Sequence, residues 1–192
     1  MATWTVDVDG GDYGGRSNSM LGTVKGVQAI LKLFEFYKVK AIFFISTEIL
    51  DTGFIEGYTW LVKDIMNAGH EVGSHGHFHI KYNTDDRKLK DKHISQIALA
   101  KVTGNLYPHY RAPKFSYMTE DIYSNPKNHV SLLRHMWFRT PINPETIIYL
   151  HPFDIVGGQN APNLFCALWY SNPRMAYHTL VKLLKETRDS SN

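Results

Sequence analysis

The segment His70-Glu71-Val72-Gly73-Ser74-His75-Gly76-His77-Phe78-His79 gathers four of the chain's ten histidines into ten residues. Neutral imidazole is the commonest protein ligand for divalent transition metals, and two rings four residues apart converge on one ion when the backbone turns between them. Gly76 can supply that turn. A surface His-rich loop or a purification tag is the plainer alternative, but a tag is terminal and monotonous, whereas this run follows Glu71-Val72-Gly73 in mid-chain. A second loaded segment is Val6-Asp7-Val8-Asp9-Gly10. The strand period of two puts both carboxylates on one face and Val6 and Val8 on the other. Two adjacent acids repel unless a cation or an arginine joins them. Asp9, ahead of Gly10-Gly11, could simply open a turn; Asp7, a charge inside an apolar strand, needs a partner.

The elements that must position these groups alternate along the chain. Thr3 to Asp9 reads as a strand rich in β-branched and aromatic residues. Val24, Val27, Ile30, Leu31 and Phe34 recur at helical spacing through Tyr37, and Lys40 to Ser46 is a continuous apolar run typical of a strand buried on both faces. Leu61, Val62, Ile65 and Met66 mark a second helix stopped by Gly69, and His70 to Ser74 a third strand. Asn83 or Thr84 can cap a third helix, with Leu89, Ile94, Ile97 and Leu99 among its apolar residues, ending near Gly104. Tyr110 to Phe115 and Thr146 to His151 read as two more strands, and Pro173 opens a last helix through Ala176, Leu180 and Leu184. This alternation predicts an α/β fold of parallel strands with crossover helices, a β/α barrel or an open variant of one, whose active site gathers at the carboxyl ends of the strands. Asp7-Val8-Asp9, His75 to His79, Arg111 to Phe115 and Leu150-His151 each close a predicted strand.

Composition sets the bounds. A chain of 192 residues suits one domain, taken here as 1–188 with a frayed tail at 189–192. Its 43% hydrophobic and 20% charged content is that of a soluble globular protein, not a disordered one. The net charge of +3 is mild, and the densest basic run, Arg87-Lys88-Leu89-Lys90-Asp91-Lys92, is broken by Asp91 and reads as the solvated face of a helix, so no nucleic-acid partner is expected. Cys166 is the one cysteine, which excludes an intrachain disulfide and a thiolate-rich zinc site; metal ligands must come from His, Asp or Glu. No apolar run approaches a membrane span and no charged-then-apolar leader precedes the first strand, so the chain is expected to be soluble and cytoplasmic.

In order along nearly its whole length the chain resembles the polysaccharide deacetylases, carbohydrate esterase family 4, also called the NodB homology domain. Thr5-Val6-Asp7-Val8-Asp9-Gly10 resembles the first motif of that family, in which one Asp is the general base and the following one a metal ligand. His75-Gly76-His77-Phe78-His79 resembles the second, a pair of metal-binding histidines. Arg111-Ala112-Pro113-Lys114-Phe115 resembles the third, whose Arg pairs with the catalytic Asp and whose backbone lines the site. Leu150-His151 resembles the last, a pocket-lining Leu and a His acting as general acid. Each pattern is weak alone; four in order, each at a strand end, are fairly specific. Pro152-Phe153-Asp154 and the Asp-x-Asp spacing resemble an outlying branch. Only about thirty-five residues separate Phe115 from His151, where the family usually has more strands and a motif whose Asp orients the catalytic His. That interval, with His129, Trp137, Arg139 and Pro141, shows no equivalent, and Asp154 is the nearest acidic candidate. Five strands fall short of the family barrel, so a distorted or incomplete, NodB-like barrel is expected.

The resemblance implies a metal-dependent hydrolase that removes N-acetyl groups from an amino-sugar polymer or oligomer. Asp9, His75 and His79 would hold one divalent ion, zinc in first place with Fe, Co, Mn or Ni compatible; Asp7 would be the base, Arg111 its partner and His151 the acid, with Pro113, Phe115 and Leu150 at the substrate. His77 lies between the ligands, where a third ligand or a supporting role are both open; His93, His109, His129, His135 and His178 read as surface or satisfied core histidines. Trp169, Tyr170 and Tyr117 could stack on a sugar or simply pack. Two rivals remain: an amidohydrolase on a small non-sugar amide or cyclic ureide, which could dispense with the metal ligands, and a degenerate glycan-binding member, which would need neither base nor acid.

Overall fold

The computed structural model describes residues 2–9, 19–51, 58–104, 109–113, 123, 129–156 and 173–189. Its elements run β1 (Thr3–Val8), α1 (Ser19–Tyr37), β2 (Ala41–Ile45), α2 (Glu48–Asp51), α3 (Thr59–Asn67), β3 (Glu71–Ser74), α4 (Asp85–Thr103), β4 (His129–Ser131), α5 (Leu132–Phe138), β5 (Ile147–Leu150), α6 (Pro152–Val156) and α7 (Pro173–Asp189). The hydrogen-bonded strand order is β3-β2-β1-β5-β4, with β3 and β4 at its ends among the described residues. The pairs β1–β5, β2–β3 and β4–β5 are parallel. A parallel sheet with crossover helices is the expected fold class.

The chain divides into two compact units, Met1–Val6 with Gly11–Ala41 and Asn128–Asn192, and Asp7–Gly10 with Ile42–Lys127. In the first, β1 aligns Thr3 with Ile147 and Val6 with Leu150, and β4 flanks β5 from His129↔Ile147 to Ser131↔Tyr149. Its core is Trp4, Val6, Val27, Ile30, Phe34, Ile148 and Leu150 with Leu180 and Leu184 of α7, all buried. Val27, Ile30 and Phe34 are the inward stripe that the helical spacing of α1 predicted. Gly26 sits on the same helix, and a Cβ there would run into the backbone of Pro152. Gly26→Ala is therefore expected to destabilise this unit by about 1–3 kcal/mol; a denaturant midpoint equal to the parent's would show that α1 and α6 can move apart freely.

In the second unit, Ile42 to Ile45 of β2 are all buried, as the apolar run Ile-Phe-Phe-Ile requires of a strand covered on both faces. It aligns Ile42 with Glu71 and Ile45 with Ser74 of β3, while the Ser46 amide donates to the Val8 carbonyl at the end of β1 at 3.0 Å. Leu61, Val62 and Ile65 of α3 and Leu99 of α4 complete the core.

Two expectations change. Tyr110 to Phe115 is not a strand where it is described: Tyr110 makes one isolated bridge with Ser74, residues 111–113 leave the ladder, and 114–115 lie outside the described residues. The interval before His151 is not empty, since it holds β4 and α5; a three-residue strand is too short to show a period in sequence. On α4, Leu89, Ile94 and Ile97 are exposed, and the buried stripe is Asp91, Ser95 and Leu99 at successive i+4 positions. The last helix runs to Asp189, and 190–192 lie outside the described residues. No helix among the described residues is long and apolar enough to cross a membrane.

Candidate active site

The strand period places Thr5, Asp7 and Asp9 on one side of β1 and its C-terminal extension, and both carboxylates are buried. The unit that holds Asp7 and Asp9 also holds His75, His79 and Arg111. His75 follows directly on β3, its amide donating to the Ile45 carbonyl at 2.8 Å, so the register of β2 and β3 sets where its ring stands. His75 Nε2 lies 3.5 Å and His79 Nε2 3.3 Å from Asp9 Oδ1, with the two ring centroids 5.1 Å apart.

One donor atom from each of Asp9, His75 and His79 falls within 4.8 Å of the others. One carboxylate oxygen and two imidazole nitrogens, converging and mostly buried, form a donor set suited to a divalent transition metal. The tautomer of His75 agrees. Its Nδ1 lies 2.9 Å from the Arg111 carbonyl, which can only accept, so Nδ1 carries the proton and the lone pair of Nε2 faces Asp9. His77 is not part of this group: it is buried, its Nδ1 lies 3.0 Å from the Thr47 hydroxyl, and it supports the loop. His70 is also buried and packs on Phe43, 5.2 Å between ring centroids.

Asp7 is held by an arginine. Arg111 is fully buried; its Nη1 donates to Asp7 Oδ1 at 2.5 Å, its Nε to the Tyr123 carbonyl at 3.1 Å, and its guanidinium lies 4.4 Å from the centre of the Phe44 ring. The backbone amide of Arg111 donates to the Ser74 carbonyl at 2.9 Å, which ties the arginine to the end of β3. Two charges buried together offset much of the penalty that each would carry alone. Asp7 Oδ2 faces His75 Nε2 at 3.9 Å, so the paired carboxylate borders the Asp9, His75 and His79 group.

The loop between the histidines contains two left-handed residues, Gly76 at φ 78° and His79 at φ 50°. For histidine that conformation costs roughly 1–2 kcal/mol, so it persists only where the surroundings over-determine it. A Cβ at position 76 would fall 2.6 Å from Asp91 Oδ2 and 2.8 Å from Pro113 Cγ, so both the backbone angle and the space require glycine. Pro113, one of the expected substrate-side residues, thus lies against Gly76; Phe115 is outside the described residues.

Leu150 and His151 belong to the other unit. Leu150 is fully buried at the end of β5. His151 precedes α6, with Pro152 as its first residue, and Asp154 closes the turn by accepting the His151 amide at 2.8 Å. The same Asp154 oxygen lies 3.7 Å from His151 Nδ1, and the ring is stacked on Phe153 with centroids 4.8 Å apart and planes 13° from parallel. Asp154 Oδ1 is buried with no hydrogen-bond partner among the described residues. The acidic neighbour that sequence could only nominate does adjoin His151.

Sequence reasoning missed Asp91. It stands in a basic run whose neighbours Arg87 and Lys90 are exposed, yet it is itself buried and turned toward the histidine loop. The only signal was the interruption of that run by an acid, which reads equally well as a surface feature.

The polysaccharide deacetylase family profile matches residues 14–128, a stretch that includes His75, His79 and Arg111. A peptidoglycan deacetylase of Helicobacter pylori is 28% identical over 137 residues, which are 64% of this chain and 45% of that protein, so the chain spans less than half of this relative. A family 4 carbohydrate esterase pseudoenzyme from Bacillus anthracis superimposes with a TM-score of 0.63 at 18% identity, covering 97% of this chain and 61% of that one. A peptidoglycan N-acetylglucosamine deacetylase superimposes with a TM-score of 0.60 at 18% identity, covering 97% and 82%. These structural likenesses establish the shared fold, and the profile match over more than half of the sequence establishes that the chain belongs to the polysaccharide deacetylase family.

Proposed function

We propose that the protein is a metal-dependent hydrolase that removes N-acetyl groups from an amino-sugar polymer or oligomer such as peptidoglycan or chitin. The observation that carries this reading is the convergence of Asp9, His75 and His79 beside an Asp7 that is ion-paired to a buried Arg111. Binding alone does not require a buried, charge-compensated carboxylate next to a metal-type donor set, whereas a metal-dependent hydrolase uses both. Asp9, His75 and His79 would hold the ion, zinc in first place given one oxygen and two imidazole donors. When bound, the ion would supply Lewis acidity to a water and to the amide carbonyl.

The chain's own groups do the rest. Asp7 accepts the proton of the attacking water, and Arg111 keeps that carboxylate charged and aimed. His151, held by Asp154, delivers a proton to the departing amine, so that one water and one acetamide become acetate and a free amino sugar. Pro113, Phe115 and Leu150 would border the acetyl group. The pseudoenzyme among the structural neighbours makes a non-catalytic role a fair rival, and a small cyclic amide is the other. Retention of Asp7 and Arg111 speaks against the first rival, and retention of the metal-type cluster against the second.

Zinc titrated into chelator-stripped protein is expected to bind at about one ion per chain and to raise the thermal unfolding temperature through linkage. Acetate release from N-acetylglucosamine oligomers should follow zinc occupancy. Protein that neither takes up zinc nor gains stability from it would remove the reading; zinc uptake without acetate release from any acetylated glycan would leave the binding-protein rival.

A further inference from the structure

Among the described residues one buried carboxylate has no part in the proposed mechanism. Asp91 on α4 is 3% exposed. Its Oδ2 accepts the His77 amide at 3.0 Å, and its Oδ1 accepts the Phe78 amide and the Tyr82 hydroxyl, each at 3.3 Å. Burial, and after it the adjacent Asp91, raise the Tyr82 phenol above its ordinary range, so its proton stays available for donation. The carbonyls of the same stretch are taken from the opposite side, Gly76 O by the Thr47 amide and His77 O by the Glu48 amide, each at 3.0 Å. The backbone between His75 and His79 is thus gripped through its amides by α4 and through its carbonyls by the turn after β2. The gripped pair, His77 and Phe78, sits between the two left-handed residues Gly76 and His79. The missing side chain at 76 is what lets the carboxylate approach, since a Cβ would fall 2.6 Å from Asp91 Oδ2.

The geometry points to Asp91 as the positioning residue of the metal centre: by accepting the 77 and 78 amides it holds His79 in its left-handed conformation and so sets Nε2 of His79 beside Asp9. This rests on the proposed metal site. The hydrogen bonds of Asp91 go to the backbone of the loop and to Tyr82, so it acts on the ligands through that backbone. An asparagine at 91 keeps the size but turns half of the acceptor into a donor, which opposes an amide N–H.

The test is the zinc dissociation constant, measured by competition with a chromophoric chelator, alongside thermal unfolding of the zinc-free protein. Asp91→Asn is expected to weaken zinc by about tenfold or more, the range for groups that orient metal ligands. Leu99→Ala, a cavity on the same helix away from the loop, is expected to lower the unfolding temperature while zinc affinity stays within about twofold of the parent. Zinc binding by Asp91→Asn equal to the parent's would overturn the proposal, as would an equal loss in Leu99→Ala, which would make the effect one of general stability. His79→Ala run in parallel separates the two readings: if it too binds zinc like the parent, the metal site is wrong and the positioning role goes with it. Should Asp91→Asn fail to fold, Tyr82→Phe decides, with about threefold weaker zinc expected from the loss of one hydrogen bond to the clamp and unchanged affinity counting against it.

Discussion

Asp7→Asn is expected to bind zinc as the parent does and to release acetate about two to four orders of magnitude more slowly, because under the proposed mechanism it removes the general base without removing a ligand. The structure adds a second consequence. Arg111 is fully buried and its Nη1 donates to Asp7, so neutralising the aspartate leaves a guanidinium without its counter-charge. Breaking a buried pair from one side costs about 3–5 kcal/mol, so the variant should also unfold at a distinctly lower temperature. Rate and stability can be separated with the double variant Asp7→Asn, Arg111→Met, in which neither charge remains. Much of the unfolding temperature should return while the rate stays low. Asp9→Asn is the counterpart and should lose zinc affinity first. If Asp7→Asn keeps more than a tenth of the parent's rate, Asp7 is not the base; if Asp9→Asn binds zinc like the parent, Asp9 is not a ligand.

His151→Ala should leave zinc affinity unchanged and slow amide hydrolysis by about two to four orders of magnitude, the usual contribution of a general acid. The informative comparison is between leaving groups. An amine departs only when protonated, whereas the phenolate of an activated acetyl ester needs no proton, so the ester should lose less than about tenfold. Asp154→Asn belongs in the same series, since its carboxylate accepts the His151 amide at 2.8 Å and adjoins Nδ1 at 3.7 Å. It should lower the amide rate by less than His151→Ala and in the same direction. Equal losses on amide and ester in His151→Ala would mean that the histidine positions substrate rather than supplying a proton.

Much of the candidate site was legible because its information is local. Two carboxylates on one side of β1 follow from a period of two, and two histidines four apart around a glycine follow from a turn; neither needs knowledge of the rest of the chain. The apolar run that became β2 is likewise a short-range signal, and its burial on both faces follows from composition alone. The family resemblance rested on the same short motifs, and the profile match over 14–128 agrees with it.

What the tertiary structure decided is where the long-range partners lie. Asp7 meets Arg111 across 104 positions, and Asp91 meets the His77 amide across 14, while of the four apolar residues named along α4 in the sequence Leu99 is buried and Leu89, Ile94 and Ile97 are exposed. A helix's own pattern ranks its faces by hydrophobicity, but the face turned inward is chosen by all the groups that need partners. The two amides of the histidine loop find their acceptor in Asp91 of α4, so Asp91 is buried while Leu89, Ile94 and Ile97 stay exposed. The sequence determined which chemistry the chain carries; the backbone's requirement that buried donors find acceptors determined which remote side chain holds that chemistry in place.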